Sequence, residues 1–321
     1  MAATGIPKTI HQIWIGGQPM PESYTKNMKR LIEHNPQWQH VLWDDDAVRA
    51  ACAEAGVSDA FERSPSLHNK IDIGRYAVLY LHGGVSVDLD VVSLQPLDAL
   101  DEFERCLSGS SLVISECSFN EEMLSWENRM FGFSTLLNNA FFASPRASPI
   151  MGRLCHHCSD LVLKGTKSGV QWIDIMFTTG PLAVSRFFNS QPKHEYVVLP
   201  CRYVEPLMNF CPTTSLSFDT VLWHLGSMSW IPTSHKKVVF FAFVHRYTIT
   251  TLVILIIATY ALTRRRRRGV PSSLDKDTIK IPFVTQPNHE TFQRTTDGVV
   301  RRRRHQRGEG RDGRRAQTTA W

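Results

Sequence analysis

The stretch from Leu67 to Asp90 constrains the fold of this chain more than any bulk property does. Leu67 to His82 has apolar residues at helical spacing, Ile71, Val78, Leu79 and Leu81 among them. Asp72 and Arg75 are three residues apart and so share a face of that helix. Gly83-Gly84 stops it, because glycine enters the left-handed region without a Cβ clash. Val85-Ser-Val-Asp-Leu-Asp-Val91 then alternates as a strand does, which places Asp88 and Asp90 on one side.

The preceding residues supply the rest of an α/β unit. Thr9 to Ile15 reads as a strand closed by Gly16-Gly17, followed by a helix from about Glu22 to Glu33. Gln39 to Trp43 is a second strand, and Asp44 is placed to cap a helix over about Ala47 to Ala55. Strand, helix, strand, helix opens a Rossmann-like nucleotide-binding half. No G-x-G-x-x-G follows the first strand and no G-x-x-x-x-G-K-[ST] occurs, which disfavours a dehydrogenase and a P-loop nucleoside triphosphatase.

The net charge of +6 averages two unlike parts. Residues 264–321 hold 16 Lys/Arg against 6 Asp/Glu, whereas residues 1–263 hold 20 against 24. The basic excess therefore belongs to the tail, and nothing in the acidic core suggests a nucleic-acid partner. Seven cysteines are scattered along the chain. Cys155 and Cys158 form a C-x-x-C with no second Cys/His pair at finger-like spacing, so a helix with two residues on one face is the better reading than zinc. Cys201 and Cys211 could pair only in an oxidising compartment.

Two carboxylates placed like Asp88 and Asp90 can share a hard divalent cation. Such a cation would hold a diphosphate and neutralise the charge that develops as a group departs from it. Arg75 could add a forked cationic contact. Each element alone is weak, since D-x-D is common in solvated turns and an Asp/Arg pair is common on surfaces. Their order along the chain carries the inference.

Ile6-Pro-Lys-Thr-Ile-His-Gln-Ile-Trp14, with Lys70 through Asp90, closely resembles the D-x-D sugar-transferase family, glycosyltransferase family 32. That family includes initiating mannosyltransferases of the yeast type, fungal inositol-phosphoceramide mannosyltransferases and glucosylating bacterial toxins. The resemblance covers most of residues 6–232. It implies an α/β glycosyltransferase-A (Rossmann-like) single domain, a Mn2+ or Mg2+ cofactor, a nucleotide-sugar donor and retention of configuration. By matching position, Trp14 would stack on the donor base, Asp72 and Arg75 would grip sugar and diphosphate, Asp88 would touch ribose or sugar, and Asp90 would bind the metal. Ser86 departs from the family, which usually has an aromatic residue there.

Leu137-Asn-Asn-Ala-Phe-Phe-Ala-Ser-Pro145 resembles the family's asparagine-containing strand, with Asn139 the residue expected to face the donor. Thr179-Gly-Pro-Leu182 resembles a family turn of mainly structural meaning. In Trp223-His-Leu-Gly-Ser-Met-Ser-Trp230, the resemblance implies that His224 joins Asp88 and Asp90 at the metal or contacts phosphate, and that Ser229 and Trp230 close over the donor. On chemistry alone, a lone histidine such as His224 is more often structural.

Three regions follow: a catalytic domain over 1–236, a membrane-anchoring segment over 237–263, and a disordered Arg-rich tail over 264–321. Tyr247 to Thr263 is uncharged and precedes Arg264–Arg268, the pattern of one transmembrane helix. The start shows no signal-peptide pattern, in tension with a lumenal domain. Within the family, the compact domain, the His…Ser-Trp ending and the nearby apolar segment look most like the inositol-phosphoceramide enzymes. The expectation is mannosyl transfer from GDP-mannose to a lipid-linked acceptor at a Golgi or endoplasmic reticulum membrane, with a regulatory subunit as a possible partner. The alternatives are a Golgi glycan mannosyl- or galactosyltransferase, and a membrane-tethered non-catalytic partner of a transferase.

Overall fold

The computed structural model describes residues 5–99, 101–108, 111–117, 134–165, 168–204, 218–227, 231–237 and 246–268. The expected donor contacts Ser229 and Trp230 lie outside these residues, as do Cys211 and the tail from 269 onward.

The first strand and helices follow the sequence pattern closely. β1 (Thr9–Ile13) leads to α1 (Glu22–His34), β2 (Gln39–Trp43), α2 (Asp45–Glu54), α3 (Ser58–Arg63) and α4 (Leu67–His82). Asp44 caps α2 as expected, its carboxylate accepting from the Ala47 N–H at 2.9 Å, although the helix starts at Asp45. After α4 come β3 (Gly84–Val87), β4 (Val91–Ser93), α5 (Asp101–Ser108), β5 (Leu112–Glu116) and β6 (Leu137–Ser144). The remainder is α6 (Pro149–Lys164), α7 (Gln171–Thr178), α8 (Pro181–Asn189), β7 (Tyr196–Leu199), α9 (Cys201–Val204), β8 (Leu222–His224) and α10 (Arg246–Arg268).

Six strands form one sheet in the order β2-β1-β3-β6-β5-β7. β1 runs parallel to β2 and β3, β5 runs parallel to β7, and β6 lies antiparallel to both β3 and β5. A separate antiparallel pair, β4 with β8, matches Val91 to His224. Two apolar clusters flank the sheet. One gathers Val48, Phe61, Ile73, Leu79, Phe142 and Phe188, and the other Ile10, Leu31, Val85, Phe141, Leu199 and Leu222. Cys155 and Cys158 are buried on α6 within the first cluster, which accounts for them as core residues rather than zinc ligands.

Gly83 and Gly84 do more than end a helix. Their φ values are 67° and 95°, and a Cβ on Gly83 would stand 2.5 Å from the Arg146 amide nitrogen. One on Gly84 would stand 2.5 Å from the Thr9 carbonyl oxygen. The pair thus lets β1, β3 and β6 approach closely just ahead of the acidic turn. His11 stitches the same corner, its Nε2 on the Gly83 carbonyl at 2.8 Å and its Nδ1 accepting from Trp43 Nε1–H at 3.0 Å.

Two expectations need correction. Val85 to Val91 is not one strand: β3 ends at Val87, Asp88–Asp90 make a turn closed by Val91 N–H to Asp88 O at 3.1 Å, and β4 joins the second sheet. The alternation was real, but β6 partners the chain only as far as Asp88, whose N–H reaches Ala140 O at 3.0 Å. The expected membrane-spanning helix is also not found, since no helix among the described residues is long and apolar enough to cross a membrane. The uncharged run is 17 residues, five of them threonine, between Arg246 and Arg264. At about 1.5 Å per residue it falls short of a hydrocarbon core about 30 Å thick.

The chain divides into two compact units, Met1–Val253 and Ile254–Trp321. In the second, the described side chains from Ile254 to Ile257 are exposed.

Candidate active site

α4, the turn after β3, β6 and β8 bring the acidic and basic groups together. Asp72 and Arg75 occupy one face of α4, 7% and 5% exposed, with Arg75 Nη1 3.6 Å from Asp72 Oδ1. Arg75 spreads its fork, donating to Asp88 Oδ1 and to the Asn139 carbonyl. The helix carboxylate is thereby tied to the turn carboxylate through one guanidinium, the geometry a planar five-donor group allows.

Both oxygens of Asp72 have a protein partner. Its Oδ1 accepts from Asn139 Nδ2 at 3.0 Å and its Oδ2 from Thr179 Oγ1 at 2.8 Å. Burial pushes its carboxyl up to about 7; Arg75 and the Thr179 hydroxyl oppose this, and Asp88 adds to it. Burial likewise pushes Asp88 up to about 6, against the pull of Arg75. Asp88 keeps 29% of its side chain exposed, so one edge of the cluster stays open.

Asp90 behaves oppositely. Burial alone would raise it, but His224 and the Ser227 N–H outweigh that and hold its carboxyl below the usual range. Ser227 N–H reaches Asp90 Oδ2 at 2.9 Å, and His224 Nε2 lies 3.5 Å from Asp90 Oδ1. The Asp90 carbonyl accepts from Leu225 N–H at 3.0 Å, which extends the β4–β8 pairing through the turn.

One oxygen each from Asp88 and Asp90 and one His224 nitrogen lie within 4.8 Å of one another. Two carboxylates and an imidazole at that separation form a donor set that fits Mn2+ or Mg2+. Asn138 orients the imidazole: its Oδ1 accepts from Ala140 N–H at 2.8 Å, which turns Nδ2 toward His224 Nδ1 at 3.1 Å. With Asn138 Nδ2–H donating to Nδ1, the neutral ring carries its proton on Nε2, toward Asp90 Oδ1 at 3.5 Å, and holding an ion through Nε2 would require that proton to leave.

Trp14 sits on the same side, its Nε1–H donating to Gln18 O at 2.7 Å and its ring edge-on to Tyr24 at 5.9 Å. Tyr24 Oη lies 3.4 Å from Ser227 Oγ, which links this wall to Asp90. Ser86, standing where the family usually has an aromatic residue, is buried in the sheet, in register with His11 and Phe142.

The structure brings Asp72, Arg75, Asp88, Asp90, Asn139 and His224 into one cluster. Sequence reasoning passes over four supporting residues. The motif points to Asn139, yet both asparagines reach the cluster, Asn138 through His224 and Asn139 through Asp72. Gln12, beside the noted Trp14, bridges His40 at 2.9 Å and the Asp88 carbonyl at 3.5 Å. Thr179, a turn residue by its Thr-Gly-Pro pattern, donates to Asp72 Oδ2. Asn27 donates to Leu89 O at 3.0 Å, and no sequence signal marks it.

The D-x-D turn, the buried D-x-x-R helix face and a histidine thus meet beyond the end of β3, a central strand of the sheet. Residues 21–107 match the family described as "Glycosyltransferase sugar-binding region containing DXD motif". The chain is a glycosyltransferase, similar over those residues to the DXD family. It is 25% identical over 281 residues to inositol phosphoceramide mannosyltransferase 1 of Schizosaccharomyces pombe, covering 84% of this chain and 77% of that one. The initiation-specific alpha-1,6-mannosyltransferase of Candida albicans is 26% identical over 197 residues, 54% of this chain and 50% of that one. Among solved structures, mouse xyloside xylosyltransferase 1 in its apo form overlaps with a TM-score of 0.43 at 11% identity, covering 70% of this chain and 99% of that one.

Proposed function

We propose that this chain is a metal-dependent, retaining mannosyltransferase of glycosyltransferase-A type. In this reading it takes mannose from GDP-mannose and places it on an inositol-phosphoceramide-type sphingolipid. The observation that carries it is the Asp88–Asp90–His224 cluster beside the Asp72–Arg75 pair. The relative named for inositol phosphoceramide, matched over most of both chains, supports the choice of acceptor.

Asp88, Asp90 and His224 would hold the divalent ion, which supplies positive charge to the donor diphosphate. Arg75 adds a fixed cation at the same edge, desolvated and already oriented, so it can meet charge on the leaving diphosphate without reorganising. Asp72 faces the sugar with its carboxylate held by Asn139 and Thr179. Trp14 offers the ring for the base. Ser227, through its N–H, keeps Asp90 turned inward. The exposed apolar residues Leu252 to Ile257, followed by Arg264, support contact with a lipid surface, as a lipid-linked acceptor requires.

A second reading, mannosyl transfer to a glycan, draws on the similarity to the initiation-specific enzyme. The deciding experiment gives the full chain GDP-mannose, UDP-glucose or UDP-galactose with and without Mn2+, and either inositol phosphoceramide in vesicles or a soluble mannose oligosaccharide. Mn2+-dependent mannosyl transfer to the vesicle lipid is expected. Transfer only to the oligosaccharide selects the second reading. Absence of donor binding and hydrolysis leaves a non-catalytic partner as the account.

A further inference from the structure

We infer that Thr179 is a positioning residue for sugar recognition, holding the Asp72 carboxylate through a one-directional hydrogen-bond relay that starts at the cap of α4. This deepens the reading of Asp72 as the sugar-facing group and rests on it.

The relay is set by donor and acceptor chemistry. Ser66 caps α4, its Oγ accepting from Asn69 N–H at 3.1 Å while its own proton goes to Asn69 Oδ1 at 2.6 Å. That contact fixes the Asn69 amide, so its nitrogen faces Thr178 Oγ1 and Thr179 Oγ1, both at 3.0 Å. Thr179 Oγ1 is then an acceptor from Asn69, and its single proton is left for Asp72 Oδ2 at 2.8 Å. Thr178 sends its own proton to the Asp174 carbonyl at 2.7 Å, so it accepts from Asn69 without reaching the carboxylate. Only one of the two threonines completes the path.

The backbone makes Thr179 hard to move. Its carbonyl accepts from Tyr76 Oη–H at 2.6 Å, and its N–H donates to Ile175 O at 3.1 Å. Asn69, Asp72 and Tyr76 follow at spacings of three and four on one face of α4, so a single helix face grips both ends of the residue. Thr179 is fully buried, and no solvent competes for its hydroxyl. Gly180 behind it packs close to α7, a Cβ there standing 3.1 Å from the Ile175 carbonyl oxygen. The Thr-Gly-Pro turn therefore fixes which way one carboxylate oxygen points, leaving Oδ1 between Asn139 Nδ2 and Arg75 Nη1.

The test uses full-length Thr179→Val, Thr179→Ser and Asp72→Asn. The donor is whichever of GDP-mannose, UDP-glucose and UDP-galactose the unaltered chain hydrolyses, and each variant is also titrated with the matching nucleoside diphosphate in Mn2+. Thr179→Val keeps the shape and removes the proton. It is expected to lower kcat/KM for the nucleotide sugar at least tenfold, while affinity for the sugar-free diphosphate stays within twofold. Thr179→Ser, which keeps the hydroxyl, is expected to recover to within threefold of the unaltered chain. Unchanged nucleotide-sugar kinetics in Thr179→Val, with Asp72→Asn impaired, overturns the relay alone. Equal loss of sugar and diphosphate binding in the valine and serine variants means a purely structural residue and overturns it too. Unimpaired Asp72→Asn removes the sugar-facing role of Asp72 and the relay with it.

Discussion

The two halves of the site treat their carboxylates in opposite ways. On α4, Asp72 is enclosed, bonded through both oxygens and pushed up to about 7 by burial. At the turn between β3 and β4, Asp90 is nearly as buried, yet its carboxyl is held below the usual range by His224 and Ser227. Burial is thus not what separates them. The difference lies in where the neighbouring positive charge and N–H groups sit: one carboxylate is held by neutral side chains, the other kept ionised, as the proposed cation role needs. Arg75 joins the halves, and removing it would expose the cost of both.

Asp90→Ala should break the comparison most severely. Loss of the best-ionised ligand is expected to lower Mn2+-dependent donor hydrolysis by about a thousandfold. Stopped assays with and without EDTA read this, and retention of more than a tenth of the activity would contradict the ligand role.

Arg75→Lys comes next. A lysine cannot reach Asp88 and the Asn139 carbonyl together, so activity should fall by about a hundredfold. Stability should fall by about 3 kcal/mol, because buried carboxylates lose their partner. Urea unfolding measures the second part, and an unchanged midpoint would mean the fork is ornamental to the fold.

A third test separates the site from the scaffold by pH. His11 is lowered to about 4 by burial, below its ordinary 6.5, so it binds fewer protons folded than unfolded. Its contribution is present above pH 6.5 and is lost as pH falls toward 4, a loss of about 3 kcal/mol. Asp72 has the opposite sign: with its carboxyl raised to about 7, the metal-free chain loses stability as pH rises from about 4 through 7. Unfolding midpoints across that range should show His11→Gln flattening the acid limb and Asp72→Asn flattening the neutral one.

The smallest effect is expected at the C-x-x-C. Cys158→Ala removes one buried sulfur from an apolar cluster and should cost about 1 kcal/mol. Metal analysis should find no zinc in the unaltered chain or the variant, and stoichiometric zinc lost on substitution would reverse the core assignment.

The local pattern reported local facts well. α4 spans Leu67–His82 as its periodicity indicates, β2 is Gln39–Trp43, and Asp44 caps the following helix. Period and capping act over a few residues, and such signals survive in one sequence. The same pattern misled at Asp88–Asp90, where alternation continued although the ladder partner did not. The expected spanning helix is not found for a related reason: an uncharged run marks apolarity, whereas crossing a membrane also needs length.

What the sequence determined by itself was the inventory: an α/β domain, its glycine-stopped helix, and the acids, arginine and histidine of the candidate site. What only the tertiary structure decided was their partners. Asp72 meets Thr179 across 107 residues, Asp90 meets Ser227 across 137, and Asn138 meets His224 across 86. No periodicity reaches that far. Such contacts come from the packing that sets α7 against α4 and brings β6 and β8 beside the acidic turn, and with them comes the electrostatic division between two aspartates that look alike in the sequence.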